Sequence, residues 1–189
     1  DRESVPDVLK NLPGMNVQFA HPNGRNVNVS IRGSSDYKPG GYNNRVLILL
    51  DGFPILIPNS GSPDWNSLPL ESLERIEIEN SPASTQYGHN SMGGVINLIT
   101  DDGSKENSTR LRFSGGSYSK AQTSITHNNQ KGSWYYGINA MAQTSKGHRF
   151  NADNQTGRLR TYLRYGDQKG RTYRLSHILS YSDIGHPGF

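Results

Sequence analysis

Beyond about residue 105 the sequence alternates with a period of two, over runs that only extended strands satisfy. Trp134, Tyr136, Ile138, Ala140 and Ala142 share one parity. In the next run Leu159, Leu163 and Tyr165 share a parity, with Arg158, Arg160, Tyr162 and Arg164 on the other. Tyr173, Leu175, Leu179 and Tyr181 repeat the pattern, and polar turns at Asn128 to Gly132, Lys146 to Gln155 and Gly166 to Gly170 separate the runs. Successive side chains of a strand point to opposite faces, so each run has one apolar and one polar face. Two architectures accommodate that: an antiparallel sandwich, or a barrel whose apolar side faces lipid. Arginines on the polar side are costly in a dry core and comfortable in a wet lumen, which favours the barrel over the sandwich.

The first hundred residues read differently. Ser4-Val5-Pro6-Asp7 has a helix cap, a first-turn proline and an acid three residues on. Val8, Leu9 and Leu12 form an apolar stripe that Pro13-Gly14 ends. Val27 to Arg32 alternates as a half-buried strand does, and Arg45 to Leu50, apolar on both faces, suits a central one. Asp51-Gly52 is a turn signal. A short helix is expected from Pro69 to Glu74, a strand over 75–79, a second short helix opened by Ser81-Pro82 and closed by Gly88, and a last strand from Gly94 to Thr100. Interleaved helices and strands make this a compact α+β domain.

Composition excludes little but sharpens the division. The 21 glycines and 10 prolines suit many turns and short strands. With no cysteine there is no disulfide framework or thiolate metal site, and six histidines lack zinc-like spacing. A net charge of +4, spread over both halves without a recognition motif, makes nucleic-acid binding a remote alternative. His89-Asn90-Ser91-Met92-Gly93 has His where a nucleophile elbow needs Gly, so an enzyme is not expected.

Three ordered segments resemble the plug of TonB-dependent outer-membrane receptors. They are Val5-Pro6-Asp7-Val8-Leu9-Lys10-Asn11-Leu12-Pro13-Gly14-Met15; the pair Val29-Ser30-Ile31-Arg32-Gly33 and Arg45 to Pro54; and Leu73 to Ile78, followed by Ser81-Pro82-Ala83-Ser84, Tyr87-Gly88 and Gly93 to Thr100. One departure is Asn80-Ser81, where the family usually has Arg-Gly. The resemblance implies a plug over 1–102 (a small mixed four-stranded sheet with short helices) and, over 103–189, antiparallel strands of an incomplete transmembrane β-barrel. With a family barrel of about 22 strands, four or five strands are expected here, in a truncated chain without the TonB box.

What the resemblance implies about function is import of a scarce ligand across the outer membrane of a Gram-negative bacterium, most readily a ferric siderophore or similar chelate. Cobalamin, an oligosaccharide or a signalling role are the alternatives. The implied partners are the TonB energy-coupling protein, the ligand and outer-membrane lipid, with no nucleic acid and no cofactor. Apical plug loops would hold the ligand, and Tyr37, Tyr42, Asn43, Asn59, Trp65 and Asn90 offer the flat and hydrogen-bonding surfaces a chelate needs; the aromatics could equally pin the loops. Arg32, Arg75 and Glu77 are candidates for plug–barrel contacts. Gly33, Asp51, Gly52, Gly88, Gly93 and Gly94 are expected to serve turns or close approaches. Arg110, Arg112, Arg158, Arg160 and Arg164 either make a basic lumen or pair with Glu77 and Glu79, the second reading being preferred.

Overall fold

A computed structural model describes residues 4–19, 27–34, 45–57, 63–101, 107–167 and 169–185. The chain divides into two compact units, residues 1–100 and 101–189.

The first unit opens with α1 (Val5–Leu9). The Ser4 side chain accepts the Asp7 N–H and its hydroxyl donates to the Asp7 carboxylate at 2.7 Å, so cap and first-turn acid hold each other. Two strands, β1 (Met15–Phe19) and β2 (Val27–Ile31), pair antiparallel. The main sheet is mixed and four-stranded: β3 (Val46–Leu50), β4 (Phe53–Pro54), β5 (Leu73–Glu79) and β6 (Gly94–Thr100), in the order β4-β3-β6-β5. β3 and β6 run parallel and are buried, as their apolar sequences require. One sheet face, through Val46, Ile48, Ile96 and Leu98, packs with Val5, Leu9, Val29, Ile31, Trp65 and Leu68 into the main core. The other carries a smaller cluster, Leu47, Leu49, Val95 and Ala83.

Three local expectations are corrected. Over 69–74 there is a short 3-10 turn at Leu70–Ser72, and Leu73 already begins β5. β1 went unread although Met15, Val17 and Phe19 alternate with Asn16 and Gln18, because it follows directly on the Pro13-Gly14 stop of α1, and the two-residue β4 is too short to show a period. Ser81 does not cap the second helix, α2 (Ser84–Tyr87): its hydroxyl donates to Glu79, and Ala83 occupies the cap position without a side-chain bond. The Ala83 N–H is held by the Ser91 carbonyl at 3.0 Å, and Gly88 closes the helix at φ 78°.

The second unit is a five-stranded antiparallel meander: β7 (Ser108–Gly116), β8 (Lys120–Lys131), β9 (Trp134–Ser145), β10 (Asn154–Gly166) and β11 (Thr172–Ile184), adjacent in chain order. The expected turn at 128–132 shrinks to Gly132-Ser133, since β8 runs on to Lys131. Between β10 and β11 the Asp167 carboxylate accepts the N–H groups of Lys169 and Arg171 and forms an ion pair with Arg171 at 2.6 Å. The Arg171 N–H, with its guanidinium and the Lys169 N–H adding to it, holds this carboxyl below the ordinary aspartate value. A depressed folded value means that the turn gains stability above the unfolded value, about 3.9, and loses it as pH falls through the folded one. A carboxyl NMR titration is expected to place the Asp167 midpoint below that reference; an ordinary midpoint would show that the turn does not hold the charge.

Candidate functional site

In the second unit the usual disposition of side chains is inverted. Arg160 is 1% exposed, whereas Phe113 is 74% and Leu175 69% exposed. The apolar face carries Leu111 and Phe113, Trp134, Tyr136 and Ile138, Leu163, Tyr173, Leu175, Leu179 and Tyr181, all exposed. Strand register sorts them into rows. Leu111, Ile125, Ala140, Leu159 and Leu179 lie side by side across all five strands. Toward one end Trp134, Tyr165 and Tyr173 form an aromatic cluster, with ring centroids 4.7 and 6.4 Å apart. Toward the other, Phe113 and Tyr181 share a row with Thr123, Ala142 and Gly157. An apolar band bounded by aromatics is the outer surface of a membrane barrel wall.

The polar face is organised by the same register. One row runs Arg110, Thr126, Asn139, Arg160; the next runs Arg112, Ser124, Met141, Arg158. The Arg160 guanidinium donates to the Asn139 side-chain oxygen at 3.3 Å and to the Asp101 carbonyl at 3.2 Å, and stacks over the Tyr162 ring, 4.8 Å from its centroid. Arg164 lies over Tyr135 at 4.0 Å. Tyr162 covers Gly137, where a Cβ would come within 2.7 Å of its ring, and its hydroxyl donates to Asn128. Asn128 in turn donates to the Asp101 carboxylate at 3.1 Å. Asp101, the first residue of this unit, is thus held through both carbonyl and carboxylate. Sequence reasoning read Asn128 only as part of a turn and gave Asp101 no role. The available signal was Gly137, a glycine inside a strand, which marks a close approach.

In the first unit two tight turns carry the charged-residue–glycine pairs. Arg32 (φ 48°) and Gly33 (φ 78°) are bridged by Ser34 N–H to the Ile31 carbonyl at 2.9 Å. Asp51 (φ 52°) and Gly52 (φ 85°) join β3 to β4. Positive φ at both central residues is the type I′ signature. The Asp51 carboxylate reaches past its turn to accept the Thr100 N–H at 2.8 Å and hydroxyl at 2.7 Å, fixing the end of β6. The Gly52 N–H donates to Asn97, and Asn97 to Glu77, which pairs with Arg75 at 2.8 Å. Arg75 and Glu77 are therefore neighbours on the exposed face of β5, where a bulge lies between Leu73 and Arg75. Gly93 has no positive φ; a Cβ there would meet the Ser34 hydroxyl and the Arg45 carbonyl.

Of the expected ligand residues, Trp65 and Asn90 fall within the described residues. Tyr37, Tyr42, Asn43 and Asn59 lie outside the described residues. Trp65 is 4% exposed in the main core, with its indole N–H donating to the Val27 carbonyl at 3.2 Å, the arrangement of an aromatic that pins its loop. Asn90 sits at φ 65° in the turn after α2. Beside it Ser91 is fully buried, its hydroxyl donating to the Gly88 carbonyl. Among the described residues no cluster of His, Asp or Glu could hold a metal ion. Glu77 and Glu79 have the partners already named, Arg75 with Asn97 and Ser81.

Residues 1–95 match the family model described as the TonB-dependent receptor plug domain. A vitamin B12 transporter, BtuB, from Vibrio cholerae serotype O1 is 29% identical over 123 residues, 65% of this chain and 19% of that protein. Among solved structures, the pyoverdine outer membrane receptor FpvA from Pseudomonas aeruginosa PAO1 is similar with a TM-score of 0.75 at 16% identity, over 97% of this chain and 26% of that one. The ferric-catecholate import receptor Fiu from E. coli K12 gives 0.72 at 21% identity, over 95% and 24%. The chain thus spans about a fifth of the curated relative and about a quarter of these two structures. At such identities the structural likeness establishes the fold: a mixed-sheet plug followed by barrel strands.

Proposed function

The chain belongs to the family of TonB-dependent receptor plug domains, and from that premise we propose that it supplies the gate and first wall strands of an outer-membrane receptor importing a ferric siderophore. The observation that carries the reading is the inverted second unit, with arginine buried on one face and leucine and phenylalanine exposed on the other. Such a sheet is stable with lipid against its apolar side and a polar interior against its arginines. Arginine rows in a confined space favour an anionic ligand through the local field, which suits an anionic ferric chelate. Arg32, Arg75 and Glu77 would face the wall of the complete barrel, where exposed polar contacts separate more readily than an apolar seal. The apical loops with Tyr37, Tyr42, Asn43, Asn59 and Asn90 would meet the ligand, and the TonB energy-coupling protein would drive its release.

A second ligand class has its own support, because a curated relative is named as a vitamin B12 transporter. Equilibrium binding to the complete receptor, using a panel of ferric catecholate and hydroxamate chelates alongside cobalamin and oligosaccharides, separates the two. Saturable binding of an anionic ferric chelate is expected. Binding of cobalamin alone would transfer the assignment to that class, and failure of every chelate and of cobalamin would remove both.

A further inference from the structure

At one end of the meander two connections are tied together: Ser117–Ser119 between β7 and β8, and Lys146–Asp153 between β9 and β10. The Lys146 N–H donates to the Tyr118 carbonyl at 2.9 Å, and the Tyr118 and His148 rings stand 6.0 Å apart. Tyr118 and Ser119 both hold positive φ, 59° and 54°, where Asn-Gly would sit without strain. Phe150 is 97% exposed beside Arg149. The connections at the opposite end are Gly132-Ser133 and residues 167–171, where Arg171 is neutralised by Asp167; the longest of the four connections is Lys146–Asp153. Short turns mark the periplasmic side of a barrel and longer ones the outside.

Lys146 has the parity of the apolar face. It lies one residue past the end of β9, at the parity of Trp134, Tyr136, Ile138, Ala140, Ala142 and Thr144, and about 13 Å beyond Ala142 at the rise of a strand. On the membrane-wall reading, this is where a lysine closing a lipid-facing column leaves hydrocarbon and reaches headgroups. Asp153 and Asp183 are the acids of this end, yet among the described residues no carboxylate pairs with Lys146 or Arg149.

We propose that these two connections form a docking site for the phosphorylated headgroup of an outer-leaflet lipid. Lys146 and Arg149 take phosphate oxygens and Phe150 enters the boundary with the acyl chains. The site rests on the reading of the second unit as a membrane wall. A ligand carried inside the barrel is disfavoured because Lys146 belongs to the lipid-facing column.

The test uses the complete receptor in phosphatidylcholine nanodiscs carrying either bis-phosphorylated lipid A or the same lipid with its phosphates removed. Lipid retained through detergent exchange is measured by mass spectrometry. Selective retention of the phosphorylated form is expected, falling roughly tenfold in the Lys146→Gln, Arg149→Gln double variant. Equal retention of both lipids, or an unchanged double variant, would overturn the site. Loss of ferric-chelate binding with lipid retention intact would instead give these connections to the ligand, which also overturns it. A receptor that inserts into neither nanodisc would sink the membrane-wall reading itself, so the two failures are distinguishable.

Discussion

Replacing Gly94 by valine is expected to unfold the first unit under conditions where the unsubstituted protein is stable. Gly94 opens β6 at φ 128°, a region closed to side-chain-bearing residues, and a Cβ there would collide with the Glu79 carbonyl and stand 2.9 Å from Ile31 Cδ1. Neither neighbour gives way easily: the first is backbone of β5, and Ile31 is 1% exposed in the main core. Strain and overpacking together cost about 4 kcal/mol, a large share of a domain stability of about 5–15 kcal/mol. Trp65 is one of only two tryptophans and is buried. In a Trp134→Phe background its fluorescence reports the unit directly during urea unfolding. A midpoint unchanged by Gly94→Val would show that the approach of β5 and β2 to β6 is looser than described.

The second large effect is expected at Asp51. Its carboxylate accepts two bonds from Thr100, and its backbone is left-handed. Asp51→Ala loses both bonds and leaves alanine in a conformation it disfavours, a loss of about 3 kcal/mol. Asp51→Asn keeps an acceptor and tolerates the left-handed region, so about half that loss is expected. Hydrogen exchange at the Thr100 amide should accelerate in both, more in alanine. Protection at Thr100 that survives Asp51→Ala would remove Asp51 as the anchor. The effect matters because Thr100 is followed at once by Asp101, held from its own side by Asn128 and Arg160. The chain leaves one unit and enters the other through two consecutive residues, each fixed by side chains of its own unit.

Much of this was legible before any coordinates. Alternation placed Trp134, Tyr136 and Ile138 on one face and Arg158, Arg160 and Arg164 on the other, because strand geometry allows no other outcome. Register carried that further than the sequence could, since only pairing shows that Asn139 lies beside Arg160. The plug motifs located β2, β3, β5 and β6, while β4, of two residues, was too short to show a period and the alternation of β1 was passed over. Trp65 shows the limit at the site. Its residue type suits both ligand and core, and only the bond from its indole to Val27 and its burial tell which it serves here. The cap at Ser81 failed because the helix begins only at Ser84, which puts Ala83 at the cap position and leaves Ser81 two residues short of it, a boundary that spacing alone does not reveal.

The strict chain-order pairing of β7 through β11 has a consequence for assembly. Every strand there meets only its sequence neighbours, so its contacts are local and its loop-closure entropy small. The first unit is the opposite case: β3 pairs in parallel with β6, and the crossover between them must close before either strand is satisfied. On the membrane-wall reading proposed above, the second unit can grow hairpin by hairpin, with lipid as the solvent that rewards each addition. The first unit waits for a long-range closure in water. One polypeptide thus carries two folding clocks, set by topology and by medium.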